Sequence, residues 1–244
     1  MKLFIADLDG CIAHPFEAPD WEAISELREL ILEGKNDEND IPLFTICTGR
    51  PMPYAEAVAQ WLSVDLPIIF ESGGGLYDVR RNHIEWTPSL NEDRLAQIGE
   101  LKNWLQETII PRFDGLIPEF TKRTDVGLVH PRKEVIDAIF PEIEAYVKSE
   151  YQGFVLHHTD VSINILLSDF NKGTGVARLG ELLDIPFSRM AYIGDGTNDI
   201  PAMQRVGQAF APSNARPEVK QVEGIQVMDD EATKAVLAAF RKFI

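Results

Sequence analysis

The sequence predicts an α/β protein, a doubly wound, Rossmann-like parallel sheet interrupted by a smaller α+β insert. Three observations carry this reading. Short continuous apolar runs recur at 2–6, 42–47, 67–70 and 190–193, the pattern of strands buried on both faces of a parallel sheet. Each run ends in a polar or glycine-rich group, with helical stretches spaced among the runs. Between about Asp78 and Ser168 that rhythm stops, and it resumes at Asn171.

Taken in order, the first strand delivers Asp7-Leu8-Asp9-Gly10 into a loop. If the chain stays extended there, side chains at i and i+2 point the same way, so two carboxylates face one pocket. The stretch from Asp20 to Leu32 places Trp21, Ile24, Leu27, Leu30 and Ile31 on one helical face with Asp20 as N-cap. A polar surface loop spans Glu33 to Asp40, and a second helix runs from Pro53 to Leu62. After the strand at 67–70, Glu71-Ser72-Gly73-Gly74-Gly75 implies an unusual turn or a close backbone approach.

The insert begins with a short strand, His83 to Trp86, and a helix from Asn91 to Ile109 with Leu95, Ile98, Leu101 and Leu105 inward. Two extended segments follow, Glu119 to Thr124 and Val126 to His130, and then a helix from Lys133 to Lys148. Strands at 153–158 and 161–167 join at Thr159-Asp160 as a hairpin. The core rhythm returns with a helix opened by Asn171-Lys172-Gly173, the strand Met190 to Ile193, a helix Ile200 to Arg205, strands at 209–211 and 225–227, and a terminal helix from Glu231. The expected division is a core of residues 1–77 and 169–244 around an insert at 78–168.

With 244 residues and 45% hydrophobic content, the chain can bury a sizeable core. Its net charge of -16 repels nucleic acid and anionic membranes. No signal-peptide pattern is read at the N-terminus and no apolar run approaches the roughly 20 residues of a spanning helix, so a cytoplasmic protein is expected. Cys11 and Cys47 form no disulfide framework or metal pattern and are read as buried, reduced thiols. Trp21, Trp61, Trp86 and Trp104 are read as packing.

Four signatures sit at strand ends or helix starts: Asp7-Leu8-Asp9-Gly10, Thr48-Gly49-Arg50, Lys172-Gly173 and Gly194-Asp195-Gly196-Thr197-Asn198-Asp199. Convergence of Asp7, Asp9, Asp195 and Asp199 would crowd negative charge, a costly arrangement unless a cation intervenes or some groups are protonated. A hard divalent ion with oxygen ligands, Mg²⁺, meets that need. An ionised aspartate needs no base to act as a nucleophile, and carboxylates form aspartyl phosphates.

In order and context these motifs resemble those of the haloacid dehalogenase (HAD) superfamily phosphatases. The position of the insert resembles the subgroup with a C2-type cap, which includes sugar-phosphate phosphatases. The resemblance implies a Mg²⁺-dependent phosphoric monoester hydrolase acting on a small phosphorylated metabolite, a sugar phosphate or a phosphoglycolate-like compound. It implies Asp7 as nucleophile and metal ligand, and Asp9 as general acid and base with its backbone carbonyl on the metal. Thr48 and Gly49 would hold phosphate oxygens and Lys172 would neutralise the transferring group. Asp195 would ligate the metal, and Asp199 with Asn198 would orient metal-bound water or Lys172.

On the insert, Lys122, His130 and His157 are candidate substrate contacts, and the Glu119–Lys122 and His130–Arg132 stretches resemble relatives acting on phosphoglycolate and on sugar phosphates. Arg50 is either a cation on the phosphate side or, the preferred reading, a surface residue capping the turn. Cys11 and Ser72 stand where relatives often carry Thr and Asn. The alternatives are a phosphomutase of the same fold and a catalytically quiet binding protein, and the chain is a monomer or a homodimer.

Overall fold

The structure, a computed structural model, describes residues 1–36 and 39–244. Residues 37 and 38, in the expected Glu33–Asp40 loop, lie outside the described residues. Two units emerge, Met1–Glu85 with Asn171–Ile244, and Trp86–Phe170.

The first unit starts with β1 (Leu3–Ala6), α1 (Trp21–Glu33), β2 (Leu43–Ile46), α2 (Met52–Trp61), β3 (Ile68–Phe70), β4 (Gly75–Asp78) and β5 (His83–Trp86), the unit boundary falling inside β5. Asp20 caps α1 by accepting from the Ala23 amide, as its position predicts. The second unit contains α3 (Glu92–Trp104), β6 (Ile117–Pro118), β7 (Asp125–Val129), α4 (Lys133–Glu150), β8 (Phe154–His158) and β9 (Ser162–Leu167). The chain then returns to the first unit with α5 (Lys172–Leu183), β10 (Met190–Ile193), α6 (Ile200–Met203), β11 (Gln208–Ala211), α7 (Pro217–Lys220), β12 (Ile225–Val227) and α8 (Ala232–Phe240).

The main sheet is parallel with strand order β12-β11-β10-β1-β2. A parallel bridge from Cys47 to Ile69 brings β3 alongside β2. From β1 the chain steps outward through β2 and β3; from β10 it steps outward the other way through β11 and β12. Strand order therefore reverses between β1 and β10, the place where α/β sheets open a crevice beyond their carboxyl ends.

Alternation along β1 sorts its side chains. Leu3 and Ile5 face a core with Tyr192, Ala209 and Ala211 that is covered by Val176 and Leu179 of α5. Phe4 points the other way, its ring within 5.2–6.3 Å of those of Phe44, Phe210, Phe240 and Phe243.

The glycine-rich stretch forms a turn that the sequence signalled and a strand that it did not. Glu71, Ser72 and Gly73 all have positive φ (46°, 55° and 98°) and return the chain so that β4 pairs antiparallel with β3. Gly75 opens β4 because a β-carbon there would strike the Phe70 ring, a packing constraint invisible in a run of three glycines.

In the second unit an antiparallel sheet of order β6-β7-β9-β8 shares its core with α3 and α4 through Val126, Leu128, Ile163, Ile165, Ile98, Leu101, Ile136 and Ile139. Two expectations change here. Residues 119–124 form a turn rather than a strand, because Lys122 folds back so that its amide bonds the Glu119 carbonyl and its ammonium meets the Glu119 carboxylate. The helix expected to reach Ile109 is α-helical only to Trp104, then widens into a π turn at Leu105–Ile109 and tightens at Ile110–Arg112; Pro111 disfavours α geometry in the residue before it. Trp104 stacks on Tyr146 at 3.8 Å, and Trp21 and Trp61 pack edge to face against each other while 55% and 47% exposed, outside the core.

Because Phe4 is fully buried amid four other rings, Phe4→Ala removes an interior side chain whose loss costs about 3–5 kcal/mol. A denaturant titration followed by circular dichroism should show a clearly lowered midpoint, and an unchanged midpoint would contradict this packing.

Candidate active site

Asp7 continues the parity of Leu3 and Ile5 and so emerges on the face that α5 covers. Its amide bonds the Ile193 carbonyl, which keeps it in the sheet and beside the end of β10. Beyond Asp7 the chain leaves the strand: amides of Cys11, Ile12 and Ala13 turn back onto the Leu8 carbonyl. Gly10 makes that turn at φ 77°, where a β-carbon would run into the Asp195 carboxylate.

Lys172 arrives from the opposite direction. Asn171 and Thr174 form a reciprocal capping box that fixes the start of α5. Gly175 lets the first turn of this helix lie against Ile69 and the Gly73 backbone. The Lys172 ammonium, almost fully buried, lies 2.8 Å from Asp7 Oδ2 and 2.7 Å from Asp199 Oδ1. Asp199 also accepts from the Tyr192 hydroxyl at 2.7 Å and from the Gly196 amide at 3.0 Å. Its oxygens are thus committed to holding Lys172 and the loop, while Asp7 accepts at Oδ1 from the Leu8 amide at 2.7 Å.

Asp7, Asp195 and Asp199 each offer a carboxylate oxygen within 4.8 Å of the others. The electrostatics record the crowding. Burial, with Asp199, Asp195 and Asp9 adding to it, raises the Asp7 pKa well above the carboxylate range despite Lys172. Burial and the Asp199 charge push Asp195 up to about 7. Burial opposes the charged form of Lys172, but Asp199 and Asp7 outweigh it and hold the ammonium charged. Three carboxylates facing one ammonium leave negative charge uncompensated, and the donors are all hard oxygens. This donor set fits a divalent cation of the Mg²⁺ type.

The chain is not extended as far as Asp9, since it leaves β1 and turns back onto the Leu8 carbonyl, yet the Asp9 charge is felt at Asp7. Both Asp9 oxygens are taken by Arg50, whose Nε and Nη2 lie 2.7 Å away. Arg50 is therefore not a surface residue: the turn that carries it brings its guanidinium inward. Thr48 is fully buried, with its amide on the Ile69 carbonyl and its hydroxyl accepting from the Arg50 amide at 3.0 Å. Gly49 lies against the Ser72 hydroxyl oxygen, which would sit 3.2 Å from a β-carbon added at Gly49. Asn198 is half-buried in the loop between Asp195 and Asp199.

Two of the insert candidates, Lys122 and His130, have partners within their own unit. Lys122 is buried, its ammonium 2.8 Å from Glu119, 3.2 Å from Asp125 and 2.7 Å from Asn164. Those carboxylates outweigh the burial cost and raise its pKa. His130 is also buried, its ring nitrogens near the Asp114 and Arg132 carbonyl oxygens at 3.2 and 3.3 Å. His157 is half-buried on β8, in register with Asn164. Cys11 and Cys47 are free and buried, and desolvation pushes the Cys47 thiol up to about 12.

The sequence model of the haloacid dehalogenase-like hydrolases matches residues 117–240, just over half of the chain. The chain belongs to this family. That makes it a hydrolase of the HAD phosphatase type, as the four motifs implied. A Methanopyrus kandleri protein named phosphoglycolate phosphatase is 29% identical over 245 residues, spanning 100% of this chain and 97% of its own. A Methanothrix thermoacetophila protein of the same name is 28% identical, over 88% and 84% of the two chains. Among solved structures, a Thermoplasma acidophilum protein aligns with TM-score 0.76 and 20% identity over 100% of this chain and 98% of its own. The Synechocystis sucrose-phosphatase, solved with sucrose and phosphate, aligns with TM-score 0.64 and 18% identity over 99% and 97%. These two share the fold of this chain. Among the described residues no helix is long and apolar enough to cross a membrane.

A carboxylic acid with a raised folded pKa binds more protons folded than unfolded, so its contribution to stability is full below the unfolded value and is lost as pH rises through the folded one. With chelator present, Asp195 should therefore destabilise the protein as pH climbs through about 7. Thermal unfolding should show this loss in the wild type and a smaller one in Asp195→Asn. Added Mg²⁺ should raise the wild-type melting temperature more at about pH 8 than at about pH 5, since protons compete for the same oxygens. Equal shifts at both pH values would count against a cation site here.

Proposed function

We propose that the chain is a Mg²⁺-dependent phosphomonoesterase acting on a small phosphorylated metabolite, of the phosphoglycolate or sugar-phosphate kind, in the cytoplasm. The observation that carries the reading is the buried Lys172 ammonium held between Asp7 and Asp199, with Asp195 alongside, at the carboxyl end of a parallel sheet. The names of the relatives favour the substrate class.

Asp7 attacks phosphorus through a carboxylate oxygen, giving an aspartyl phosphate and releasing the alcohol. Lys172, fixed by Asp199 and by the capped start of α5, offsets the repulsion between the Asp7 carboxylate and the incoming phosphate. Asp9, protonated on an oxygen released from Arg50, gives that proton to the departing alkoxide and regains one from the water that cleaves the acyl phosphate. Thr48 and the Gly49 amide hold phosphate oxygens, and Asn198 helps to fix the loop carrying Asp195. Asp7, Asp195 and the Asp9 carbonyl would hold the cation, with Asp199 chiefly orienting Lys172. When bound, the cation neutralises charge shared by Asp7 and the phosphoryl oxygens. Residues 86–170 would serve as the cap; the commitment of Lys122 and His130 to internal partners argues that these two shape it rather than touch substrate.

Purified protein, assayed for phosphate release against 2-phosphoglycolate and a set of sugar phosphates, should turn over at least one of them and lose that activity with chelator. Asp7→Asn should lower the rate by more than about a thousandfold with an unchanged circular dichroism spectrum. Turnover persisting in Asp7→Asn would remove Asp7 as nucleophile, and interconversion of hexose phosphates without net phosphate release would identify a mutase instead.

A further inference from the structure

The Arg50 side chain has a place in the site that the motif reading did not give it. Its guanidinium presents Nε and Nη2 side-on to Asp9, each 2.7 Å from a different carboxylate oxygen. Two parallel bonds of this kind fix the plane of a carboxylate as well as its position, which a single ammonium contact does not. The guanidinium is itself confined. Its carbon lies 5.0 Å from the centre of the Tyr54 ring on α2 and 5.9 Å from that of Phe16. Backbone bonds anchor the residue at both ends, its amide to the Thr48 hydroxyl oxygen and its carbonyl to the Glu71 amide. The pair is mostly shielded, with side-chain exposures of 18% for Arg50 and 31% for Asp9.

Asp9 itself sits beyond the end of β1, where a bridge to Ala13 fixes its backbone and leaves the direction of its carboxylate to side-chain contacts. The chain has left β1, and the next residues turn back on themselves through Gly10. A proton-transfer group loses much of its effect when displaced by about 1 Å. The fork of Arg50 constrains the carboxylate itself.

We infer that Arg50 is the positioning residue for Asp9, clamping the carboxylate that exchanges protons with the leaving alcohol and with water. It acts through Asp9 and not on the phosphoryl group. The pair has to loosen at one oxygen for that oxygen to reach the alcohol, while the second bond keeps the carboxylate on its hinge. This inference rests on the phosphatase reading above and adds a residue to it.

Substituted phenyl phosphates, from the p-nitrophenyl ester with its good leaving group to the unsubstituted phenyl ester with its poor one, provide the test. The quantity compared is kcat/KM, which reports phosphoryl transfer to Asp7. In Arg50→Gln it should fall about 100-fold for phenyl phosphate and by about a tenth of that factor for p-nitrophenyl phosphate, because a good leaving group needs little protonation. Arg50→Lys, which keeps the charge but loses the fork, should show the same steepening in milder form. In an Asp9→Asn background, Arg50→Gln should cost little more, less than about 3-fold, since the group it positions is gone. Equal losses across the ester series, or full additivity with Asp9→Asn, overturn the assignment of Arg50 alone. A wild-type protein that releases phosphate neither from these esters nor from 2-phosphoglycolate and sugar phosphates overturns the phosphatase reading and this inference together.

Discussion

The first unit depends on a buried cation between two carboxylates. Lys172 is out of water and would be untenable without Asp7 and Asp199, and those carboxylates would be equally untenable without it. Such a cluster is a weak source of stability, because desolvation consumes most of the attraction. Its value is chemical: it holds a nucleophile and an ammonium at contact distance before substrate arrives, so no reorganisation is needed at the moment of reaction. The elements around it are arranged to make that contact, from the capping box that starts α5 to the Tyr192 hydroxyl and Gly196 amide that fix Asp199.

Topology brings these groups together. Strands β1 and β10 are neighbours although about 190 residues separate their first residues, and the reversal of strand order between them leaves their carboxyl ends uncovered by a direct crossover. Asp7 and Asp195 follow these two strands. Thr48 follows β2 on the other side, and its amide bond to Ile69 ties the phosphate-loop candidate to β3. Ser72 and Glu71 sit in the left-handed region directly beyond β3, with their amides on the Thr48 and Arg50 carbonyls. Non-glycine residues rarely keep such backbone angles unless their surroundings enforce them, and they concentrate near functional sites.

The second unit solves a similar electrostatic problem on its own terms. Lys122 is buried against Glu119 and Asp125, with Asn164 accepting a further bond, and its carbonyl takes a short contact from the Lys102 ammonium. Here the buried charge shapes a turn. It converts a segment that alternates plausibly as strand into a fold-back, and leaves Phe120 strongly exposed at its tip.

The sequence alone determined the elements whose cause is local. Buried parallel strands announce themselves by apolar runs, and Met190–Ile193 and Ile225–Val227 were legible to the residue for that reason; Asp20 as a cap and the hairpin at Thr159-Asp160 are likewise decided by neighbours in the chain. The acidic motifs were legible because ionisable residues at strand ends have few structural reasons to be there. What only the tertiary structure decided were the contacts made across the chain. Arg50 looked like a surface residue because nothing near it in sequence calls for a carboxylate; Asp9, 41 residues away, supplies one. The burial of Lys122 against Asn164 belongs to the same class, since that partner lies 42 residues away and no spacing along the chain encodes it.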